Sequence, residues 1–138
     1  MVDAVHYFLQ MQTFIHYLLH LGFPLVIALL FFRKEWKKVY VIFLLTMLVD
    51  LDHVVASPIF QANRCSIGFH PLHSYYAMAG YVILLFFHKP FNILGIGLLL
   101  HMTTDFTDCL MMLNTCRECY VEAPAYNILV FISDLIIP

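Results

Sequence analysis

The sequence has 138 residues, of which 62% are hydrophobic and 12% are charged, and its mean hydropathy is +0.85. Soluble domains contain about half apolar and about a quarter charged residues. The composition therefore excludes an ordinary soluble domain and indicates one integral membrane domain that spans residues 1–138. The net charge of −2, without a basic patch, gives no indication of a nucleic-acid partner.

Four apolar segments, separated by short polar breaks, predict four transmembrane helices. Each has close to the roughly 20 residues needed to cross the hydrocarbon core of a bilayer, and helices satisfy their own backbone hydrogen bonds in lipid. The predicted spans are about 14–32, 39–55, 72–87 and 91–113. Residues 126–138 are apolar but too few to span, so we expect an all-α membrane bundle with a short C-terminal interfacial segment.

The distribution of Lys and Arg predicts the orientation of this bundle. The breaks after the first and third spans carry five such residues, and the opposite side carries two. The five are Arg33, Lys34, Lys37, Lys38 and Lys89, and the two are Arg64 and Arg117. By the positive-inside rule, the termini and the 57–71 loop face outward. We therefore expect a multi-pass protein of a bacterial inner membrane, surrounded by lipid, with both termini toward the periplasm.

Every predicted span carries or adjoins His or Asp residues, which are costly in lipid and are therefore functional candidates. The first span has two His four residues apart, which places them on one helix face. The second ends in Asp-Leu-Asp-His, the third opens with His-Pro-Leu-His-Ser, and the fourth has His and Asp four residues apart. The candidates are His16, His20, Asp50, Asp52, His53, His70, His73, His101 and Asp105.

The predicted orientation places all nine of these residues in the outer half of the bilayer. Imidazole and carboxylate groups are ligands of zinc, iron and manganese, and nine groups exceed one tetrahedral site. The sequence therefore predicts a site toward the periplasm for one or two divalent transition-metal ions, with zinc first and iron or manganese as alternatives. The predicted ligands are His20, Asp50, His53, His70, His73, His101 and Asp105, with His16 and Asp52 in a supporting role or on a second metal.

Four cysteines are all predicted to lie toward the outside, where an oxidising periplasm permits disulfides. They are Cys65, Cys109, Cys116 and Cys119. Four cysteines allow three complete pairings, and free thiols are a further alternative. A link from Cys65 to the Cys116–Cys119 segment would tie the outer loop to the C-terminal tail.

The metal-ligand motifs resemble those of bacterial inner-membrane metal-dependent hydrolases, including the LexA-regulated group, and most closely a small four-helix branch found in Bacteroidota. The resemblance covers roughly residues 14–110. Its motifs here are His16 and His20, Asp50-Leu51-Asp52-His53, His70-Pro71-Leu72-His73-Ser74, and His101-Met102-Thr103-Thr104-Asp105. These relatives usually carry Arg and Thr where this chain has Pro71 and Leu72.

The resemblance implies a metal-dependent hydrolase that acts at the outer leaflet on a lipid-like phosphoester or ester. A metal at the site would activate water at neutral pH. Asp108, about one turn beyond Asp105, is a candidate general base, and Asp52 is a second candidate for a part in catalysis. Ser74 and Arg64 are candidates for contact with the substrate, and Arg64 could replace the arginine that is missing from the His-Ser motif.

Three other classes of function remain open from the sequence. A di-iron lipid oxidase or hydroxylase would fit the spacing of His16 and His20, although its usual paired His-His motifs are absent. A metal or proton carrier would place donors through the full depth of the membrane. In a structural subunit the His residues would only make hydrogen bonds between helices. Because the predicted bundle has only four short helices, the formation of a homo-oligomer also remains an open alternative.

Overall fold

The computed structural model describes residues 2–55 and 65–136, and its regular elements within these ranges are helices, with no strand. Two of the helices change type along their length without a break in the chain's helical path. The elements are α1 (Val2–Tyr17), a π-helical turn (Leu18–Gly22), α2 (Phe23–Phe31), α3 (Trp36–Leu45), a 3₁₀ helix (Thr46–Val55), a 3₁₀ turn (Pro71–His73), α4 (Tyr75–Leu84), α5 (Phe91–Thr115), a 3₁₀ turn (Arg117–Tyr120) and α6 (Tyr126–Ile136).

Two helical stretches, Gln10–Phe31 and Phe91–Thr115, are by length and composition able to cross a membrane. At 1.5 Å per residue they extend for about 33 and 38 Å, which exceeds the hydrocarbon thickness of about 30 Å. Only 17% of the first stretch is buried in the protein, compared with 44% of the second. The first stretch therefore presents most of its apolar surface outward.

The other predicted spans have a different form. The helix expected at 39–55 begins at Trp36 and becomes a 3₁₀ helix from Thr46 onward. The span expected at 72–87 contains α4, which has ten residues and extends for only about 15 Å. Within the residues that the structure describes, the regular elements are all helical and two stretches are both long and apolar enough to span a membrane. Helix α6 lies where the interfacial segment was expected.

The turn at Leu18–Gly22 has a local cause in the sequence. Pro24 has no N–H to donate to the carbonyl of His20, which would be its partner in a regular α-helix. The chain takes a π-helical turn before Pro24 and then resumes as α2. Such turns are frequent at functional sites, and this one carries His20.

Two apolar clusters lie toward the two ends of α5, on either side of a polar centre. Toward its N-terminus, Ile93 packs with Phe43, Val39 and Ala28, and toward its C-terminus Leu113 belongs to a second buried cluster. The buried polar residues of α5, such as His101 and Asp105, lie between them in sequence. The polar centre is therefore enclosed by packed apolar layers along the axis of this helix.

Gly97 sets how closely α3 and α5 approach each other. A Cβ atom at this position would lie 2.8 Å from Cγ2 of Thr46 and 2.9 Å from Cδ1 of Phe43, which are closer than real contacts allow. Small residues permit such close packing of helices in membranes. The approach matters for function because Asp50 follows Thr46 by about one turn.

The two basic breaks meet at one end of the molecule. Lys89, after α4, donates a hydrogen bond of 3.0 Å from Nζ to Oε2 of Glu35, before α3. This ammonium group holds the pKa of Glu35 below its usual range. The contact brings together the two breaks that the distribution of Lys and Arg predicts to share one side of a membrane.

The cysteines form the disulfides Cys65–Cys109 and Cys116–Cys119. The sequence left the pairing open, and the structure joins Cys65 to Cys109, with 5.2 Å between their Cα atoms, and not to the Cys116–Cys119 segment. Both members of the first bridge are buried. It fastens the chain before the Pro71–His73 turn to α5, one turn beyond Asp105.

We expect Gly97→Ala to lower the free energy of unfolding by about 1–2 kcal/mol, because overpacking of Phe43 and Thr46 outweighs the gain in helix propensity. Gly80→Ala is the matched control, since a Cβ there meets nothing within 4 Å, and it should be neutral or stabilising. Thermal unfolding of detergent-purified protein, followed by circular dichroism, measures both. Equal melting temperatures for the two variants would contradict the close approach at Gly97.

We expect loss of the Cys65–Cys109 bridge to cost more stability than loss of the Cys116–Cys119 bridge. The first closes a loop with a sequence separation of 44 and the second closes a loop with a separation of only 3. From the entropy that the unfolded chain loses when each loop is closed, the expected stabilisations are roughly 4 and roughly 2 kcal/mol. Thermal unfolding of the Cys65→Ser/Cys109→Ser and Cys116→Ser/Cys119→Ser double variants checks this order. The reverse order would contradict it.

Candidate metal centre

Four elements bring the predicted site residues to one place in the molecule. The first helical stretch supplies His16 and His20, and the 3₁₀ helix after α3 supplies three residues from its last turns. The Pro71–His73 turn supplies a buried His at its end, and α5 supplies three residues from its middle. Apart from His16 and His20, they are Asp50, Asp52, His53, His73, His101, Asp105 and Asp108.

Four donor atoms at the centre lie within 4.8 Å of one another: Oδ1 of Asp50, Nε2 of His73, Nε2 of His101 and Oδ2 of Asp105. Each nitrogen faces both carboxylates. His73 lies 2.9 Å from Asp105 and 3.4 Å from Asp50, and His101 lies 3.1 Å from Asp50 and 3.4 Å from Asp105. Two ligands of a tetrahedral ion, each about 2.1 Å from it, are about 3.4 Å apart. The four atoms are therefore spaced as ligands of one ion.

Asp52 orients the imidazole of His73. Its Oδ2 accepts hydrogen bonds from the backbone N–H of Leu72, at 2.8 Å, and from Nδ1 of His73, at 3.1 Å. A neutral imidazole carries one proton, so donation from Nδ1 leaves a lone pair on Nε2. A carboxylate that orients a histidine in this way is the usual support behind a metal ligand.

Two atoms at the centre test whether a metal fits. Nε2 of His73 and Oδ2 of Asp105 are buried, and neither has a hydrogen-bond partner among the described residues. When His73 is neutral, with its proton on Nδ1, both atoms are acceptors and the 2.9 Å between them holds no shared proton. Burial of unsatisfied acceptors is costly. A divalent cation bound to both would satisfy them, and the donor set therefore fits a metal ion.

His53 and His70 form a layer beside the four-atom cluster. Nδ1 of His53 lies 3.1 Å from Oδ1 of Asp52 and 3.7 Å from Asp50, and its Nε2 lies 3.1 Å from the hydroxyl of Ser66. The His70 ring stacks on His53 with 3.9 Å between centroids. Asp52, His53 and His73 make a second group of close donors. Metal binding by His53 and His70 stays a prediction.

His16, His20 and Asp108 lie on the other side of Asp105. His20 donates a hydrogen bond from Nδ1 to the carbonyl oxygen of His16, at 3.2 Å. Its Nε2 lies 3.5 Å from Oδ1 of Asp105. His16 is in direct contact with Oδ2 of Asp108, so this predicted general base has an imidazole partner.

The remaining catalytic candidates have different surroundings. Asp52 is buried behind His73 rather than exposed toward a substrate. Ser74 is the N-cap of α4, where its hydroxyl accepts a hydrogen bond of 3.2 Å from the backbone N–H of Ala77, a usual role for serine at this position. Arg64 lies outside the described residues.

A cleft of about 390 Å³ opens onto this centre. The Asp50 side chain is 45% exposed, whereas His73 and His101 are fully enclosed. Most residues that line the cleft were candidates from the sequence, but Gln12, Ser66 and Met112 were not. The full lining is Gln12, His16, Asp50, His53, Ser66, Asp105, Asp108, Cys109 and Met112.

Ser66 is the functional candidate that sequence reasoning missed. Ser66 belongs to the segment that precedes the Pro71–His73 turn, and its hydroxyl lies 3.1 Å from Nε2 of His53. Nothing in the sequence around Ser66 distinguishes it from a loop serine. Ser66 directly follows Cys65, and the Cys65–Cys109 bridge holds this part of the chain beside α5. This placement accounts for the contact between Ser66 and His53.

We expect Asp52→Asn to weaken metal affinity about 10- to 100-fold, because an amide cannot accept hydrogen bonds from His73 and Leu72 as a carboxylate does. Asp134→Asn, at an exposed pair with Arg117, is the control and should bind as the wild type does. Competitive titration of Zn²⁺ with a chromogenic chelator gives both affinities. Unchanged affinity in Asp52→Asn would contradict the supporting role of Asp52.

Comparison with known proteins gives one family. The model of a family of unknown function (DUF6122) matches residues 10–112, which include most of the residues described above. No curated protein and no solved structure matches the chain. The resemblance to metal-dependent hydrolases therefore rests on the sequence motifs alone.

Proposed function

The chain belongs to the DUF6122 family, and we propose that it is a membrane-embedded metal-dependent hydrolase. The proposed substrate is a lipid-like phosphoester or ester at the outer leaflet. The observation that carries this proposal is the cluster of four buried or half-buried donors, Asp50, His73, His101 and Asp105, beside an open cleft.

The opening of the cleft favours catalysis over a purely structural metal. Structural zinc sites are closed by four protein ligands, whereas catalytic sites keep a position for water or substrate and sometimes become five-coordinate. With four protein donors here, that position would be a fifth one, on the side of Asp50 that opens to the cleft. Asp50 is half-exposed to the cleft while the imidazoles opposite it are enclosed. When bound, a divalent metal supplies Lewis-acid activation of water and of a phosphoryl or carbonyl oxygen.

The chain's own residues would divide the remaining tasks. Asp52 keeps the Nε2 lone pair of His73 directed at the centre. The carboxylates of Asp50 and Asp105 balance the charge of a cation in surroundings of low polarity. Asp108 lines the cleft with His16 as its partner, and this pair would accept a proton from water. Ser66 and His53, on the same cleft, would bind polar atoms of the substrate.

The same proposal includes four passes through a bacterial inner membrane, with the site toward the periplasm. Residues 36–55 form a continuous helical path of about 35 Å, which is long enough for a third crossing. The contact between Lys89 and Glu35 supports a common side for both basic breaks. Large apolar side chains stay exposed along the first helix, among them Phe14, Leu18 and Leu30, and this supports surrounding lipid.

We expect hydrolysis to require the metal and His73 together. Detergent-purified protein, stripped with a chelator, should lose activity toward bis(p-nitrophenyl) phosphate, p-nitrophenyl butyrate or phospholipid micelles, and Zn²⁺ or Mn²⁺ should restore it. His73→Ala should stay inactive with either metal, because it removes a central donor. His88→Ala, in the break before α5, is the control and should retain activity.

Each result has a defined meaning for the proposal. Elemental analysis accompanies the assays, so that metal content and activity are measured on the same samples. Activity that survives both chelation and His73→Ala would overturn the hydrolase mechanism. Stoichiometric iron with oxygen-dependent turnover would favour the oxidase alternative, and protein without metal would favour a structural subunit.

A further inference from the structure

The imidazole of His53 is engaged through both of its ring nitrogens, and the four-atom cluster uses neither of them. Nδ1 lies 3.1 Å from Oδ1 of Asp52, and Nε2 lies 3.1 Å from Oγ of Ser66. An ionised carboxylate can only accept hydrogen bonds, so Nδ1 carries the proton of the neutral ring. Nε2 is then an acceptor, and the Ser66 hydroxyl donates its proton to it.

The carboxylate of Asp52 orients His53 as well as His73. Its Oδ2 accepts hydrogen bonds from Nδ1 of His73 and from the backbone N–H of Leu72, and its Oδ1 accepts one from His53. The Asp52 side chain is 5% exposed, whereas that of His53 is 31% exposed. The carboxylate is therefore buried behind two rings, of which His53 lines the cleft.

The chain holds Ser66 in place from both sides. Cys65, directly before it, is bridged to α5. Directly after it the chain turns, and the Ser66 carbonyl oxygen accepts hydrogen bonds from the backbone N–H groups of Phe69, at 3.1 Å, and His70, at 3.3 Å. Gly68 permits this turn because its φ of +78° lies in the left-handed region. Reacting groups that are positioned before the substrate binds lower the entropic part of the barrier, and Ser66 is positioned in this way.

The other two serines that the structure describes have different partners. The Ser74 hydroxyl accepts a hydrogen bond from the backbone N–H of Ala77, and the Ser133 hydroxyl donates one to Oδ1 of Asn114. Both contacts stabilise helices or their packing. Within the described part of the chain, Ser66 is thus the serine whose hydroxyl faces an imidazole, and both groups line the cleft.

We propose that Ser66, His53 and Asp52 form a catalytic triad on the cleft, with Ser66 as nucleophile, His53 as general base and Asp52 as positioning residue. A triad is recognised by geometry and roles rather than by order in the chain. Its signature is a nucleophile hydrogen-bonded to a base that a third group orients. The inference rests on the ester hydrolysis of the proposed function and assigns the first attack to Ser66 rather than to water.

The steps balance with water as the only co-reactant. Oγ of Ser66 attacks the carbonyl carbon or the phosphorus of the ester while Nε2 of His53 takes the hydroxyl proton. The bond to the leaving alkoxide breaks and His53 gives this proton to it, which releases an alcohol and leaves the acyl or phosphoryl group on Ser66. Water then attacks this group, and His53 takes a proton from the water. His53 passes that proton to Oγ as the bond to Ser66 breaks, and an acid is released.

Covalent labelling tests the triad without a turnover assay. The full chain in detergent, loaded with Zn²⁺, is treated with an alkyl fluorophosphonate, which transfers its phosphonyl group to an activated serine and releases fluoride. Peptide mass spectrometry then locates the adduct. We expect the adduct on Ser66 in the wild type, none in Ser66→Ala, and a labelling rate at least about 100-fold lower in His53→Ala, which lacks the base. Ser133→Ala is the matched control and should be labelled as the wild type is.

Metal content and ester turnover are measured on the same samples. Ser66→Ala and His53→Ala should retain the metal of the wild type, because neither side chain belongs to the four-atom cluster. Both should hydrolyse p-nitrophenyl butyrate at least about 100-fold more slowly. The site of the adduct in the wild type decides the question even where a variant fails to fold. Loss of metal from folded His53→Ala would make His53 a metal ligand and overturn its role as base.

The outcomes separate this inference from the proposed function. Metal-dependent hydrolysis without an adduct on Ser66, or with full activity in Ser66→Ala, overturns the triad and leaves water as the nucleophile of the proposed hydrolase. An adduct on Ser66 that depends on His53, in protein that hydrolyses no ester, upholds the activated serine and counts against the hydrolase. Neither an adduct nor hydrolysis in the wild type overturns both.

Discussion

The structure depends on one buried contact, the 2.9 Å approach of Nε2 of His73 to Oδ2 of Asp105, which holds no proton between the two atoms when His73 is neutral. Such a contact is unfavourable unless a cation joins the two atoms. Asp50 and His101 complete the group at ligand spacing. The surrounding helices hold these four groups together, and a metal ion bound among them would balance the two carboxylates.

The helices that supply the site depart from regular α geometry where they reach it. His20 lies in a π-helical turn, Asp50 and Asp52 in a 3₁₀ helix, and His73 at the end of a 3₁₀ turn. A 3₁₀ helix has three residues per turn, so residues i and i+3 eclipse one another, which places His53 beside Asp50. Only α5 is regular throughout. Departures of this kind recur at functional sites.

Packing outside the site keeps these irregular segments in register. Gly97 allows α3 to approach α5 closely enough that the 3₁₀ helix reaches His101. The Cys65–Cys109 bridge holds the segment before the Pro71–His73 turn against α5. Outside the site, many large apolar side chains are exposed, among them Phe31, Val55 and Phe86. The polar centre is therefore the exception in an otherwise apolar chain, and its residues are the functional candidates.

The sequence by itself determined the helical class, the two longest helices and most of the candidate donors, because apolar periodicity and the cost of His and Asp in lipid are local properties of the chain. It could not decide the role of Asp52. On a regular α-helix this residue points away from Asp50, and only the tighter 3₁₀ turns bring it behind His73. The sequence also could not identify the disulfide partner of Cys65 or show that Ser66 belongs to the site, because both depend on which side chains lie close together in the folded chain. Residue type sets which groups can bind an ion, but only tertiary packing decides which atoms bind the same ion. Metal–ligand distances are defined to a few tenths of an ångström, and the spacing of residues along a sequence does not determine distances that closely.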